Sequence, residues 1–321
     1  FSLRLGAGQL AASVLIALFT ILNCFGVGRI TKLQTVLTAT KLVVVTGFVV
    51  LGITVGSGDW SHFSTPAVRT STLSLPAQFI VSLLWVMVGY SGWNAATYVA
   101  EEVRRPEHTL PAAIAAGTLI VAALYAALNT TFIYATPIEG MKGALAIGDL
   151  SADHLFGSSI GGTFAALMAL AIVSTVNAMV IVGPRVYYAM ARNKAFFPAA
   201  ARVDPRWHTP VNAIIAQGLC AMVMTLTPFR QLMIYIGMSL TLFTVLSVAS
   251  LFVFRKRSGW QRLRAVNFAW PLIPASYILV GTCMMVYGVI GAPVPSLSAL
   301  ATVAAGALVY RSRVRGRTVR A

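Results

Sequence analysis

The chain has 321 residues, of which 58% are hydrophobic and only 10% are charged, and its mean hydropathy is +0.80. Soluble domains carry about 25% charged residues, so the composition argues against a soluble protein and predicts an all-α integral membrane protein. The net charge of +16 would suit a nucleic-acid-binding protein, but the positions of the charges argue against that partner.

Nine apolar stretches approach or exceed the roughly 20 residues that a helix needs to cross a bilayer. In chain order they cover residues 9–27, 36–55, 78–100, 111–135, 163–182, 211–226, 232–254, 268–290 and 297–310. The last stretch is the shortest. Together they predict a single membrane domain over residues 1–321, with about nine transmembrane helices.

Basic residues between these stretches alternate between the two sides of the membrane. On one side lie Arg4, Arg69, Lys142 and Arg230, whose charge is cancelled by Asp59, Glu139, Asp149 and Asp153. Nearly all other basic residues, including those of the 311–321 tail, fall on the opposite side, which the positive-inside rule makes cytoplasmic. The excess charge is therefore a topology signal. It predicts a lipid bilayer as partner, with anionic headgroups facing the arginine tail, and no nucleic acid.

The start of the chain is unusual for a protein with nine spans. A cytoplasmic C-terminus is expected to place Phe1 outside the cell, yet the chain does not begin with Met and nothing before Gln9 resembles a signal peptide. We therefore expect an odd number of further spans upstream of Phe1.

The sequence predicts neither a metal site nor a cofactor. The cysteines at positions 24, 220 and 283 lie within spans, where thiols pack as apolar groups. The four histidines are scattered in different loops and lack the spacing of metal ligands.

The third stretch contains the feature with the clearest functional meaning. Gly89 and Gly92 stand near its middle, beside the polar side chains of Tyr90, Ser91 and Asn94. A helix that breaks within the hydrocarbon frees backbone N–H and C=O groups, which is tolerated where they line a protein or water cavity. Because discontinuous helices of this kind hold the substrate in many transporters, the break predicts a binding site.

Lys41 is the clearest ionisable residue within a predicted span. Its side chain could snorkel to the cytoplasmic headgroups. Alternatively, its ammonium could occupy a polar cavity between helices and replace a bound cation or exchange a proton. The hydroxyls of Thr35, Thr38 and Thr40 slightly favour the polar cavity.

A charged segment follows the third stretch. Glu101 and Glu102 adjoin Arg104 and Arg105 at its cytoplasmic end, and pairing with basic residues is a simpler role for these carboxylates than acid–base catalysis. Pro111 is predicted to begin the next helix, because a proline at the first helical position loses no hydrogen bond. The segment therefore predicts a cytoplasmic hinge.

Three blocks of sequence carry a family resemblance. They are the Tyr-Ser-Gly-Trp-Asn of residues 90–94 with residues 98–103 and 106–111, then residues 34–41, and then residues 177–198. The first resembles the sixth helix and following loop of the amino acid–polyamine–organocation (APC) permeases, closest to their L-type amino acid transporter-like and bacterial amino acid permease branches. The others resemble the fifth helix of that family and the end of its eighth helix.

The resemblance implies the inverted-repeat transporter fold of this superfamily (LeuT-like), with the nine spans matching helices four to twelve and the first three helices absent. Residues 9–56 would end the first repeat and residues 78–254 would form the second. Residues 268–310 would form two accessory helices, followed by the basic cytoplasmic tail, residues 311–321.

The resemblance also implies a site. Carbonyls that end the half-helix near residues 88–91 would receive the α-ammonium of an amino acid. The implied binding residues are Val88, Gly89, Tyr90, Ser91, Gly92, Trp93 and Asn94, faced by Ser174, Thr175 and Asn177 from the fifth span. Many family members carry a bulky aromatic gate where this chain has Val88, so gating by that side chain is not expected.

Other residues gain roles by the same resemblance. Lys41 matches a fifth-helix lysine that stands where sodium-coupled relatives hold an ion. Arg185 and Arg192 lie in the block that resembles the end of the eighth helix, and with Glu101 and Glu102 they are assigned to the cytoplasmic hinge.

The resemblance, together with the break at residues 89–92, implies sodium-independent, secondary-active transport of neutral amino acids by alternating access around that break, across the plasma membrane of a bacterium. A cationic amino acid or polyamine antiporter is the alternative within transport, disfavoured because the predicted site contains no carboxylate. A non-transporting, truncated remnant is the other alternative. An enzyme is not predicted, because Lys41 alone is ionisable within the spans. The sequence predicts neither the oligomeric state nor which amino acid is carried.

Overall fold

The computed structural model describes residues 6–25, 27–260 and 269–314, and these residues form helices and connecting segments, with no strand among them. The α-helices are α1 (Ala7–Cys24), α2 (Val27–Thr54), α3 (Leu75–Gly89), α4 (Pro106–Ala135), α5 (Ile138–Met141), α6 (Ile147–Phe156), α7 (Ser158–Arg192), α8 (Val211–Met224), α9 (Phe229–Phe254), α10 (Leu272–Gly291) and α11 (Pro293–Val309). Short 3-10 helices cover Trp60–Ser64, Trp93–Glu102 and Pro198–Ala201, and a π-helical turn covers Tyr310–Val314. The predicted all-α architecture is confirmed.

Seven helices in the described part of the chain are long and apolar enough to cross a membrane, and α3 and α8 are shorter apolar helices. These nine helices correspond to the nine predicted stretches. The largest difference is α7, predicted as 163–182 but observed as Ser158–Arg192, because Pro184 and the polar residues around it lower the hydropathy without ending the helix. Arg4, residue 268 and most of the basic tail lie outside the described residues.

The start of α4 corrects one prediction. The sequence placed the first helical residue at Pro111, whereas α4 begins at Pro106 and contains Pro111. Pro106 is as well suited as Pro111 to begin a helix and lies about one turn earlier. Its missing N–H costs no hydrogen bond, since the N–H of the first helical residue has no partner within the helix. The carbonyl of Arg105 accepts hydrogen bonds from the amides of His108 and Thr109 and so secures this earlier start.

One group of helices consists of α3, α9, α10 and α11. Leu84, Met238, Met284 and Ala299 form its core, and each is at most 5% exposed. Gly237 on α9 allows a close crossing, because a Cβ there would lie only 3.1 Å from the carbonyl oxygen of Leu84. Small residues at such crossings are typical of membrane helices, where close backbone approach replaces the hydrophobic driving force.

A second group contains α2, α4, α6 and α7. Phe48, Tyr134, Ala152 and Leu155 form its core. The sequence did not predict α6, which contributes Ala152 and Leu155, because its ten residues are too few to cross a membrane. The helices α1 and α8 pack against each other and against α7.

The segment between α2 and α3 contacts the C-terminal end of α4. The amide of Asp59 donates to the carbonyl of Tyr134, and Nδ1 of His62 lies 3.1 Å from the carbonyl oxygens of Ile133 and Tyr134. Because both of these partners are acceptors, Nδ1 carries the proton. The hydroxyl and amide of Ser61 donate to the Asp59 carboxylate and lower its pKa. These contacts anchor the helix that lines the cavity described below.

Large apolar side chains are exposed along the helices. Val43 on α2 and Leu119 on α4 are each 72% exposed, and Leu279 on α10 is 65% exposed. Soluble monomers rarely expose extended apolar surfaces. Together with the long apolar helices, this surface makes the chain a multi-pass membrane protein.

Candidate functional site

The interruption predicted between Gly89 and Gly92 is present. The helix α3 ends at Gly89, and the chain continues in the 3-10 helix Trp93–Glu102. Gly92 adopts a left-handed conformation with φ 96° and ψ −10°, which side chains with a Cβ rarely adopt. The glycine therefore allows the chain to leave one helix and enter the next within a short turn.

A cavity of about 360 Å³ lies between this interruption and α4. From the interruption it is lined by Gly89, Tyr90, Ser91, Gly92, Trp93 and Ala96, and from α4 by Ala113, Ile114, Gly117, Thr118, Val121 and Tyr125. Five of the predicted site residues thus surround one space. The α4 wall was not predicted from the sequence, although its residues recur every three or four positions and so mark one face of a helix.

Tyr125 connects α4 to the end of α3. Its hydroxyl donates to the carbonyl oxygen of Gly89 at 2.8 Å, and its ring meets that of Tyr90 edge to face, with 5.1 Å between the ring centroids. Gly89 belongs to the last turn of α3, whose carbonyls lack partners within the helix. The hydroxyl therefore satisfies one carbonyl that the interruption frees.

Two predicted site residues lie away from the lining. Cγ2 of Val88 is 3.4 Å from the position that a Cβ would take on Gly237, so Val88 packs against α9. Asn94 is half-buried, and its backbone carbonyl accepts the hydroxyl of Thr97 at 2.6 Å.

The three residues predicted on α7 join a second polar cluster. Nδ2 of Asn177 donates to Oε1 of Gln34 on α2 at 2.8 Å, and Oδ1 of Asn177 accepts from Asn23 on α1 at 3.4 Å. Nε2 of Gln34 also reaches the hydroxyl of Ser174 at 3.4 Å. Ser174 and Asn177 have no exposed surface. Their described hydrogen bonds therefore run to α1 and α2, whereas the resemblance implied that they face the interruption.

Lys41 reaches this cluster from α2. Its side chain is half-buried, and Nζ lies 3.5 Å from the hydroxyl of Thr175. Side chains on a helix point back toward its N-terminus, which directs Lys41 toward the level of Thr175 and Gln34. Nearer to the cavity, Met179 approaches the interruption, with its methyl 3.8 Å from the position of a Cβ on Gly92. The helix α7 thus carries Ser174 and Asn177 of the polar cluster and also contacts the interruption, through Met179.

A family model described as amino acid permease matches residues 8–310. The chain belongs to the amino acid permease family.

Curated relatives agree with this assignment. The Large neutral amino acids transporter small subunit 2 of Homo sapiens is 26% identical over 311 residues, which cover 94% of this chain and 56% of that protein. The Serine/threonine exchanger SteT of Bacillus subtilis is 27% identical over 294 residues, 87% of this chain and 65% of the relative. The Methylthioribose transporter of Bacillus subtilis is 26% identical over 313 residues, 94% and 63% of the two proteins. The chain thus spans between 56% and 65% of the length of these relatives.

Two of the residues predicted at the hinge, Arg185 and Arg192, lie near the C-terminal end of α7 in this permease. Arg185 borders a small cavity of about 260 Å³ at the end of α7, and the guanidinium of Arg192 lies 5.9 Å from the ring centroid of Tyr188. The side chains of Glu101 and Glu102 lie outside the described part of the permease. Among the residues that are described, no group of His, Cys, Asp and Glu could hold a metal ion.

Proposed function

We propose that this permease is a secondary-active transporter of neutral amino acids, which bind at the interruption between Gly89 and Gly92. The observation that carries the proposal is the cavity at that interruption, whose volume of about 360 Å³ lies within the range of small-molecule sites, roughly 300–1,000 Å³. Relatives named for large neutral amino acids and for serine and threonine support the amino acid class.

The lining of the cavity favours a neutral side chain on the substrate. Among the described residues that line it there is no Asp, Glu, Lys or Arg. An amino acid with a second ammonium group would bury that charge without a carboxylate partner, which costs several kcal/mol. Because one relative is named for methylthioribose, the preference for a neutral amino acid rests on this lining more than on family membership.

The backbone at the interruption suits both charged groups of an amino acid. The carbonyls at the C-terminal end of α3 favour the α-ammonium, and the amides at the start of the 3-10 helix Trp93–Glu102 favour the α-carboxylate. The carbonyl of Gly89 already accepts the Tyr125 hydroxyl. Since a carbonyl oxygen has two lone pairs, it can accept an ammonium hydrogen as well.

The packing around the interruption supports alternating access. Before it, α3 packs against α9 and α10, and after it, the 3-10 helix Trp93–Glu102 packs against α4. The interruption is thus the joint between two groups of helices. We propose that one group rocks against the other around the bound substrate, with Glu101, Glu102, Arg185 and Arg192 at the cytoplasmic hinge.

Lys41 is proposed to replace a coupling sodium ion. Its ammonium near Thr175 supplies a fixed positive charge between α2 and α7. An ionisable group within a span is costly and usually functional, and an ammonium group on a side chain in place of the ion removes the need for a bound sodium. Transport would therefore be independent of sodium.

The membrane and orientation are proposals that rest on charge. The arginine-rich side, which includes the C-terminus, is proposed to face the cytoplasm of a bacterium. Protease accessibility of the tail in right-side-out vesicles would test this orientation.

Uptake of a labelled neutral amino acid into vesicles that contain the purified protein and sodium-free buffer tests the proposed function. We expect uptake above that of empty vesicles, inhibition by unlabelled neutral amino acids, and little inhibition by arginine or putrescine. Strong inhibition by the two cations alone would reverse the substrate preference. Absence of uptake for neutral and cationic amino acids alike would contradict transport itself.

A further inference from the structure

The corner that follows α9, residues 255–257, concentrates positive charge. Arg255, Lys256 and Arg257 follow the last residue of α9 directly. No Asp or Glu follows Asp204 in the sequence, whereas twelve Lys and Arg residues do. The chain therefore supplies no carboxylate in this half to neutralise the corner, and the counter-charge must come from Asp and Glu elsewhere or from another molecule.

Aromatic rings hold the cations of this corner in place. The guanidinium of Arg255 lies 4.0 Å from the ring centroid of Trp270, and that of Arg257 lies 4.8 Å from the ring centroid of Phe254. Trp270 in turn contacts Phe252, and Phe254 stacks on Trp260. Tryptophan rings at the end of a membrane helix sit at the level of the lipid headgroups. The cation–π contacts thus fix positive charge in the plane where phosphates lie.

We propose that this corner binds the phosphodiester headgroup of an anionic phospholipid. Lys256 and Arg257 are exposed, and a guanidinium can donate two parallel hydrogen bonds to the oxygens of one phosphate. The phosphates of lipids are present at high concentration in the headgroup plane, whereas free phosphate is dilute in solution. A lipid is therefore the favoured source of the phosphate. The exposed Phe254 offers apolar surface for the start of an acyl chain. Helix capping is the purely structural role for the same cations, since basic residues stabilise a helix C-terminus.

A second loop on the same side of the membrane provides a matched control. Arg202 and Arg206 are exposed, and Arg206 also stacks on an aromatic ring, 4.9 Å from the centroid of Trp207. That loop contains Asp204, whose carboxylate accepts the amides of Arg206 and Trp207. Removing the charges of Arg202 and Arg206 lowers the net charge by two, as does removing those of Lys256 and Arg257. In the control loop, however, the carboxylate of Asp204 lies beside the basic residues.

The test measures lipid selectivity directly. Wild type, K256Q/R257Q and R202Q/R206Q are each reconstituted into bilayers of phosphatidylcholine that contain trace spin-labelled phosphatidylglycerol or phosphatidylcholine. The immobilised fraction of each label gives the preference for the anionic lipid. We expect wild type to prefer phosphatidylglycerol. In K256Q/R257Q the ratio of bound phosphatidylglycerol to bound phosphatidylcholine should fall about five-fold for each charge removed. In R202Q/R206Q this ratio should stay at the wild-type value.

Other outcomes overturn the proposal. An equal loss in both double variants would mean that the preference is diffuse electrostatics, and no loss in K256Q/R257Q would leave helix capping as the role of these residues. Inorganic phosphate at millimolar concentration should not displace the labelled lipid. Displacement by phosphate would show a site for free anions and contradict a lipid site. None of these measurements requires transport.

Discussion

Replacing Lys41 by alanine is expected to reduce amino acid uptake at least ten-fold while the protein still inserts into the membrane and purifies normally. The Lys41 ammonium and the Thr175 hydroxyl, 3.5 Å apart, connect α2 to α7. Alanine removes both the fixed charge and this connection. Ten-fold corresponds to about 1.4 kcal/mol, which is modest for a charge held within the membrane.

Lys32 provides the control for this prediction. It lies on the same helix, roughly 13 Å from Lys41 along the axis, and its side chain is exposed. Lys32→Ala should keep uptake. A Thr175→Val variant should lose part of the uptake, and the Lys41→Ala/Thr175→Val pair should be no worse than Lys41→Ala alone, since both act on one contact. Full uptake by Lys41→Ala would defeat the proposed role and leave snorkelling as its explanation.

Replacing Gly92 by alanine is expected to remove most uptake and to lower stability by about 1–2 kcal/mol, the typical cost of a left-handed conformation for a residue with a Cβ. Space is not the obstacle, because the nearest atom to a Cβ there is the Met179 methyl at 3.8 Å. The cost arises from φ of 96°. Thermal unfolding in detergent and vesicle uptake measure the two effects.

Two further variants separate backbone strain from other causes. Gly92→Asn should recover part of the stability, because asparagine tolerates the left-handed region better than alanine does. Gly47→Ala places the same methyl within a transmembrane helix, in open space, and should keep uptake. If Gly92→Ala transports normally, the left-handed turn is not needed for the site.

Hydropathy was enough to predict the nine apolar helices of the described chain, seven of which are long enough to cross a membrane, because length and apolar composition alone decide which segments can cross a bilayer. The interruption was predictable for the same reason, since Gly89 and Gly92 are conspicuous within an apolar run. The helix α6 was missed because its amphipathic ten residues are stabilised by packing on α7 and not by lipid. Pro111 was misassigned because Pro106 offers an equally good start and lies nearer the preceding turn.

The partners of side chains were harder to predict than the helices that carry them. Ser174 and Asn177 were expected to face the interruption, yet their hydrogen bonds go to Gln34 and Asn23. A buried amide bonds with whichever partner its helix neighbours bring within reach, and hydropathy does not specify which helices are neighbours. The α4 wall was missed for the same reason. Ala113, Gly117 and Thr118 are ordinary residues of an apolar helix until packing places them opposite the interruption.

Protection of a single cysteine at position 91 tests the central claim most directly. Ser91 is exposed and lines the cavity, so Ser91→Cys, in a background where Cys24, Cys220 and Cys283 are replaced, should react with a small water-soluble thiol reagent. We predict that a neutral amino acid slows this reaction at least five-fold, while arginine and putrescine do not. Ser82→Cys, on α3 before the interruption and outside the lining, should react at a rate that no amino acid changes. A Ser91→Cys rate that no amino acid alters would contradict a binding site at the interruption.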